Sequence, residues 1–263
     1  MERYQRKINH AKRKKLIAGY RLPGAVGPSS SVPLKVDEDT NAAVVNNGIV
    51  SFAQGMSGLS REYTRKSYLL ASSYVSDVLR ITRGTQAWYD EFIKVMTGLG
   101  WMPVRSNFER VSSSGKGLTV QLSALNIIAT TLASMALSGP LLTALPKLAA
   151  DAMDTLKQQP SPFDLFKRNT TLHNGGDFGL ASCSEHDGEV MMVLVIYSVR
   201  GVSKQLGIPF IEWDSSSFEA FSGSTCLTLS TSLVNEKTLR LMRESAGDKV
   251  QLAIARYRIQ GTR

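Results

Sequence analysis

Between Lys116 and Lys147 the chain carries no Asp, Glu, Lys or Arg. The stretch has a helical rhythm. Leu118, Leu122, Leu125, Ala129, Leu132 and Ala136 recur at spacings of four and three, which places them on one helix face. Ser123, Asn126, Thr130 and Ser134 stand opposite, polar but without charge. Solvated helix faces are ordinarily laced with Lys and Glu, so a face that lacks them points to burial on both sides, a cavity, or lipid. Gly139–Pro140 breaks the run, the Gly suited to a helix end and the Pro to the first turn of the next helix. A second arm follows through Leu141, Leu145, Leu148, Ala152 and Leu156, bent at Pro146.

The two arms read as a helical hairpin. The first is long enough for the ~30 Å hydrocarbon core of a bilayer, but Gln121, Asn126 and its Ser/Thr side chains would each cost free energy there. A permanent span is therefore not expected. The ordinary reading is a core helix pair packed on a sheet. The sharper one is that Leu118, Leu122, Leu125, Leu132, Leu141 and Leu145 wall a lipid-holding cavity, or that the hairpin moves reversibly to a membrane.

The net charge of +9 is unevenly distributed over the 263 residues. Residues 1–22 hold Arg3, Arg6, Lys7, Lys12, Arg13, Lys14, Lys15 and Arg21 against Glu2, so the remainder carries only +2. This is a near-neutral body with a basic arm. Such an arm suits a polyanion: the phosphates of a nucleic acid, or an anionic membrane, which attracts polybasic segments at about 1 kcal/mol per cation near its surface. It equally suits a solvated tail or an export address. Only Tyr4 and Tyr20 are available to stack on bases, which makes nucleic acid the minority reading.

Four zones follow. Residues 1–58 are expected to form the basic arm and a linker rich in turn chemistry, with apolar patches at Val44–Val45 and Ile49–Phe52. Residues 59–263 are expected to form one α+β domain. Its first half is helical: Ser60 is a candidate N-cap for a helix with Tyr74, Val78 and Ile81 on one face. Thr85 caps a second, with Trp88, Phe92, Val95, Met96 and Leu99 inward. Trp101–Val111 reads as a strand. After the hairpin, Gly-rich turns at Gly175–Gly176, Asp187–Gly188, Gly201 and Gly223 separate β-type runs at Phe178–Cys183, Val190–Val199, Gly207–Trp213 and Phe218–Leu229. That spacing predicts an antiparallel meander beneath the hairpin. Leu233–Ala246 returns to helix, and Lys249–Ile259 fits helix or edge strand.

Chemistry-bearing motifs are few. No phosphate loop, dinucleotide fingerprint or zinc-protease helix is present. Cys183 and Cys226 are too few for a disulfide framework or a zinc site. Cys183 could be an inert buried thiol, or a nucleophile served by His173 or His186 with Asp177 or Asp187 orienting. As a metal site, Cys183, His173 and His186 lack a fourth ligand. No small-molecule substrate, metal or cofactor is indicated, and a non-enzymatic role is expected, with a cysteine hydrolase as the weakest alternative.

The order of short motifs resembles a family. Trp88–Tyr89 in a short helix, Gly100–Trp101 opening a strand, the apolar hairpin, and Asn174-Gly175-Gly176-Asp177-Phe178 leading into a cysteine-bearing strand are together similar to the Erwinia virulence factor and related bacterial proteins. The likeness covers roughly residues 60–260. It implies an α/β fold with a fatty-acyl chain, such as palmitate, held by a thioester to a cysteine and buried in an apolar cavity. By position, Cys183 would be that cysteine. Burial stabilises such a chain by about 0.8 kcal/mol per CH₂. The expectation is a bacterial virulence or toxin-like effector acting at lipid membranes. With no apolar leader at its start, it would reside in the bacterial cytoplasm before export without a cleavable signal, and afterwards at a host membrane. The alternative is a subunit of an assembly whose arm docks on nucleic acid or protein.

Overall fold

The computed structural model describes residues 10–23, 40–111, 119–135, 140–172, 175–200 and 219–259. Its described residues form an α+β fold: a mixed eight-stranded sheet with helices on both faces.

The hairpin β1 (Ala42–Val45) and β2 (Gly48–Phe52) turns at Asn46, which adopts φ 53°. Asn tolerates this left-handed conformation better than most residues. These residues fall on the linker side of the position 58/59 boundary expected from the sequence. They lie within the sheet, whose order is β3 (Met102–Val111), β7 (Glu219–Ser230), β6 (Glu189–Arg200), β5 (Gly175–His186), β2, β1, β8 (Ile254–Tyr257). A short β4 (Thr171–Leu172) pairs with the start of β5.

Strands β5, β6 and β7 make the expected antiparallel meander. The β5–β6 turn is Asp187–Gly188, with φ 49° and 75°, the backbone a two-residue hairpin of this type requires. The parallel pairing of β2 with β5 has no signature in the sequence. The predicted Gly207–Trp213 strand lies outside the described residues.

Alternation along the strands splits the core in two. One face of the sheet presents Ala181, Cys183, Met192, Leu194, Ile196 and Leu227. It is covered by α1 (His10–Gly19), α2 (Gly58–Ser73), α3 (Gln86–Gly98) and α7 (Glu236–Ala246), with α8 (Lys249–Ala253) at the border. The other face presents Phe178, Leu180, Val193, Val195 and Tyr197 to α4 (Val120–Ala133), α5 (Leu141–Leu156) and α6 (Pro160–Thr170). Helix α6, begun by a Pro in its first turn, has no counterpart in the sequence reading.

Local capping follows the sequence with one exception. Thr85 caps α3 as expected, accepting from Trp88 N at 3.2 Å. For α2 the cap is Ser57, which accepts from Ser60 N at 3.3 Å, so the helix starts earlier than Ser60 suggests. A π-helical turn at Tyr74–Val78 then shifts the helical phase, burying Val75 and leaving Val78 exposed. The Lys249–Ile259 ambiguity resolves as both: α8, then β8.

Candidate functional site

Helix α4 is capped by Thr119 and buries Val120, Ser123, Ala124, Ile128, Thr131 and Leu132. The inward face is therefore rotated from the one the leucine spacing marks. Leu122 is 47% exposed, while Leu125 is half-buried against the second core. The helix packs on β6, whose hairpin face carries Val193, Val195, Tyr197 and Val199, and on β7, whose matching positions Ala220, Ser222, Ser224 and Cys226 are small. Leu132 and Leu145 are buried, Leu141 is half-buried, and Leu118 lies outside the described residues. Helix α5 buries Leu145, Leu148, Ala149, Ala152, Met153 and Leu156 against β2 and β5, and contains Pro146.

Among the described residues the hairpin meets the sheet through apolar surface and two polar pins. Tyr197 Oη donates to Ser123 Oγ at 3.1 Å, and Tyr257 Oη donates to the Ala152 carbonyl at 3.0 Å. Among the described residues no ion pair joins α4 or α5 to the sheet. At one end of the pair Lys157 binds Asp154 at 3.0 Å and Gln121 donates to the same carboxylate at 3.2 Å, and α5 also carries Lys147 and Asp151. The outward face of α4 shows Leu122, Asn126 and Thr130.

The opposite layer is fastened differently. In α2, Arg61, Glu62, Arg65 and Lys66 are all buried. Glu62 is the hub: it pairs with Lys66, with Arg65 at 3.4 Å and with Arg256 of β8 at 3.1 Å. Burial alone would raise the Glu62 pKa, but Lys66, Arg256 and Arg65 outweigh it and hold the carboxyl below its ordinary value. The Arg65 guanidinium also lies 4.8 Å from the Phe52 ring centroid.

A second buried carboxylate sits at the start of β5. Asp177 accepts from Asn47 Nδ2 at 2.7 Å and stands 3.6 Å from Arg83 Nη1, while burial pushes its pKa up to about 6 despite that partner. Arg83 also donates to the Asn169 carbonyl at 3.0 Å, and Asn169 donates to the Asn46 carbonyl at 2.9 Å. Asn46 in turn donates to Ser72 Oγ at 3.1 Å. This network stitches α2 and α6, from opposite layers, to the β1–β2 turn. Tyr68 lies over the register pair Gly48–Gly179, where a Cβ on either glycine would meet its ring or hydroxyl.

Cys183 points into the first core, on the face of α2 and α3; the hairpin covers the other face. The structure therefore does not bring Cys183 together with Leu132 and Leu145: the sheet separates them. Burial raises its thiol pKa strongly, and that of Cys226 to about 12. Cys226 pairs in register with Val193 and faces the hairpin side. Neither is the low-pKa, accessible thiol a nucleophile requires. His186 is exposed beside Asp187, and His173 lies outside the described residues. No group of three or more metal-ligating side chains occurs among the described residues.

The described part of the basic arm is the docked helix α1. Ile17 is buried, and its carbonyl accepts from Ser245 Oγ of α7 at 2.9 Å. Arg13 is buried too, donating to the Tyr63 hydroxyl and to the Leu233 carbonyl at 3.1 Å. Its role is packing, which leaves Lys12, Lys14 and Lys15 as the cations this helix offers a polyanion. Arg3, Arg6 and Lys7 lie outside the described residues.

No family model and no curated protein matches this chain. Among solved structures it is similar to one titled "Delta-endotoxin", at 12% identity and a TM-score of 0.44, covering 78% of this chain and 88% of that one. It is also similar to the activated Cyt2Ba monomer from Bacillus thuringiensis subsp. israelensis, at 10% identity and TM-score 0.39, over 70% and 97% of the two chains. A third, the Evf virulence factor, matches at 10% identity and TM-score 0.35, over 81% and 87%. The third of these is the protein that the order of the sequence motifs resembles.

Proposed function

We propose that the chain is a bacterial toxin- or virulence-type effector that acts at lipid membranes through the α4–α5 hairpin. The observation that supports it is the way that layer is attached. It covers an apolar sheet face with an uncharged first helix, and two neutral hydrogen bonds are its polar pins to the sheet. Moving such a layer to a bilayer surface exchanges one apolar contact for another and strands no charge. Neutral hydrogen bonds each contribute only about 1 kcal/mol net.

The mode is interfacial. No helix among the described residues is long and apolar enough to cross a membrane. At 1.5 Å per residue, the 14 residues of α4 reach about 21 Å, short of a ~30 Å hydrocarbon core. The helices would lie in the plane of the headgroups, with α4, uncharged on every face, taken wholly into the interfacial layer.

The test is dye release from phosphatidylserine-containing vesicles by the full chain, compared with a variant carrying Leu122→Glu and Thr130→Glu. Both positions are exposed, so the fold should hold, as circular dichroism would confirm. Release by the parent and a loss of roughly tenfold or more in the variant are expected, since two carboxylates must then enter the interface. No release by the parent, or equal release by both, would overturn the proposal.

A further inference from the structure

Strand β3 is one edge of the sheet. Among the described residues it pairs only with β7. Long open edges are usually blunted by Pro, bulges or charged side chains. Here Pro103 and the register irregularity before Arg105 lie at the first end, and Arg105–Val111 stays in regular register with β7 and carries charges of both signs. Met102 and Val104 are exposed apolar side chains at 41% and 57%. Arg105, Asn107 and Glu109 share one face of the strand, set by their partners Cys226, Ser224 and Ser222, and all three are exposed.

We infer that β3 is a self-association edge, on which a second copy of this chain adds its own β3 antiparallel about a two-fold axis at Asn107. The charge pattern selects both partner and register. Antiparallel pairing about Asn107 sets Arg105 opposite Glu109 of the second copy, and Glu109 opposite its Arg105, on the same face of the extended sheet. Directly opposed unlike charges stabilise a strand pair, and like charges destabilise it. Sliding the partner by four residues in either direction puts the dyad at Arg105 or Glu109, so Arg would face Arg or Glu would face Glu. Sliding it by two residues centres the dyad on Ser106 or Phe108 and loses both ion pairs. The edge is thus complementary to itself in one register, and this does not depend on the membrane role of the hairpin, which covers β6, β7, β2 and β5.

The test uses the full chain in sedimentation-velocity runs across the micromolar range. A concentration-dependent dimer is expected. Arg105→Glu and Glu109→Arg should each weaken it roughly tenfold or more, by placing like charges opposite each other twice, and the double swap should restore it. Asn107→Cys should form a disulfide-linked dimer under mild oxidant, Cys183 and Cys226 being buried. A monomer at every concentration, or a dimer indifferent to the charge reversals, would overturn the inference.

Discussion

On one face of the sheet, α2 buries Arg61, Glu62, Arg65 and Lys66 and is bound to β8 through the Glu62–Arg256 pair. On the other, α4 has no charged residue and α5 is held by packing and the Tyr257 pin. The same sheet is thus covered by a fastened layer and an adhesive one. Buried ion pairs break only at the cost of an uncompensated charge, and they fix geometry more than they add stability. Apolar burial is non-directional and can be exchanged for another apolar surface. The difference is the ground for proposing that the hairpin layer leaves and the α2 layer stays.

The comparison breaks most severely at its hub. Glu62→Gln removes the anion from among Lys66, Arg65 and Arg256, and should destabilise the fold by about 3–5 kcal/mol in urea titrations. A loss under about 1 kcal/mol would mean that α2 is not held by this hub.

The next effect concerns pH. Asp177 has a raised folded pKa of about 6 against 3.8 unfolded, so between those values the folded state binds the extra proton. Stability from this group is present at low pH and lost as pH rises through about 6, by about 3 kcal/mol in full. Glu62 has the opposite sign: its depressed pKa supplies stability above its unfolded value, which is lost as pH falls through the folded one. Asp177→Asn should therefore flatten the stability profile between pH 4 and pH 6.5 relative to the parent. An unchanged profile would refute the assignment.

Smaller still is the polar pin. Tyr197→Phe removes the hydrogen bond to Ser123 and should cost about 1 kcal/mol, with faster dye release, because the hairpin is freed from one of its two pins. The smallest effect is chemical. In the native protein neither thiol should react with a maleimide over an hour, and both should react in denaturant. Rapid native labelling of Cys183 would revive a reactive role for it.

Much of the fold was legible because its signals are local. Thr85, the Asp187–Gly188 turn and the inward Trp88, Phe92, Val95, Met96 and Leu99 each follow from neighbours in sequence, and each stands as read. The uncharged hairpin was legible as an element, but its inward face was not. The leucine spacing marked Leu122, whereas the sheet took Ala124 and Ile128. Which stripe of an uncharged helix turns inward is decided by the surface it meets, and that surface is contributed by β6 and β7, far along the chain. The same reason hid the side of Cys183. One residue of register decides the face, and the parallel β2–β5 pairing that completes the sheet joins segments about 130 residues apart. The charges of α2 gave no warning of burial, since a solvated helix would carry the same residues.

The central claim is that α4–α5 engages the bilayer while the α2 layer keeps its place. An environment-sensitive fluorophore on Leu122→Cys, on α4, compared with one on Asp90→Cys, on the exposed side of α3, tests this directly. On adding phosphatidylserine-containing vesicles, the Leu122 probe should shift to the blue and the Asp90 probe should not. A shift at both positions, or at neither, would contradict the account.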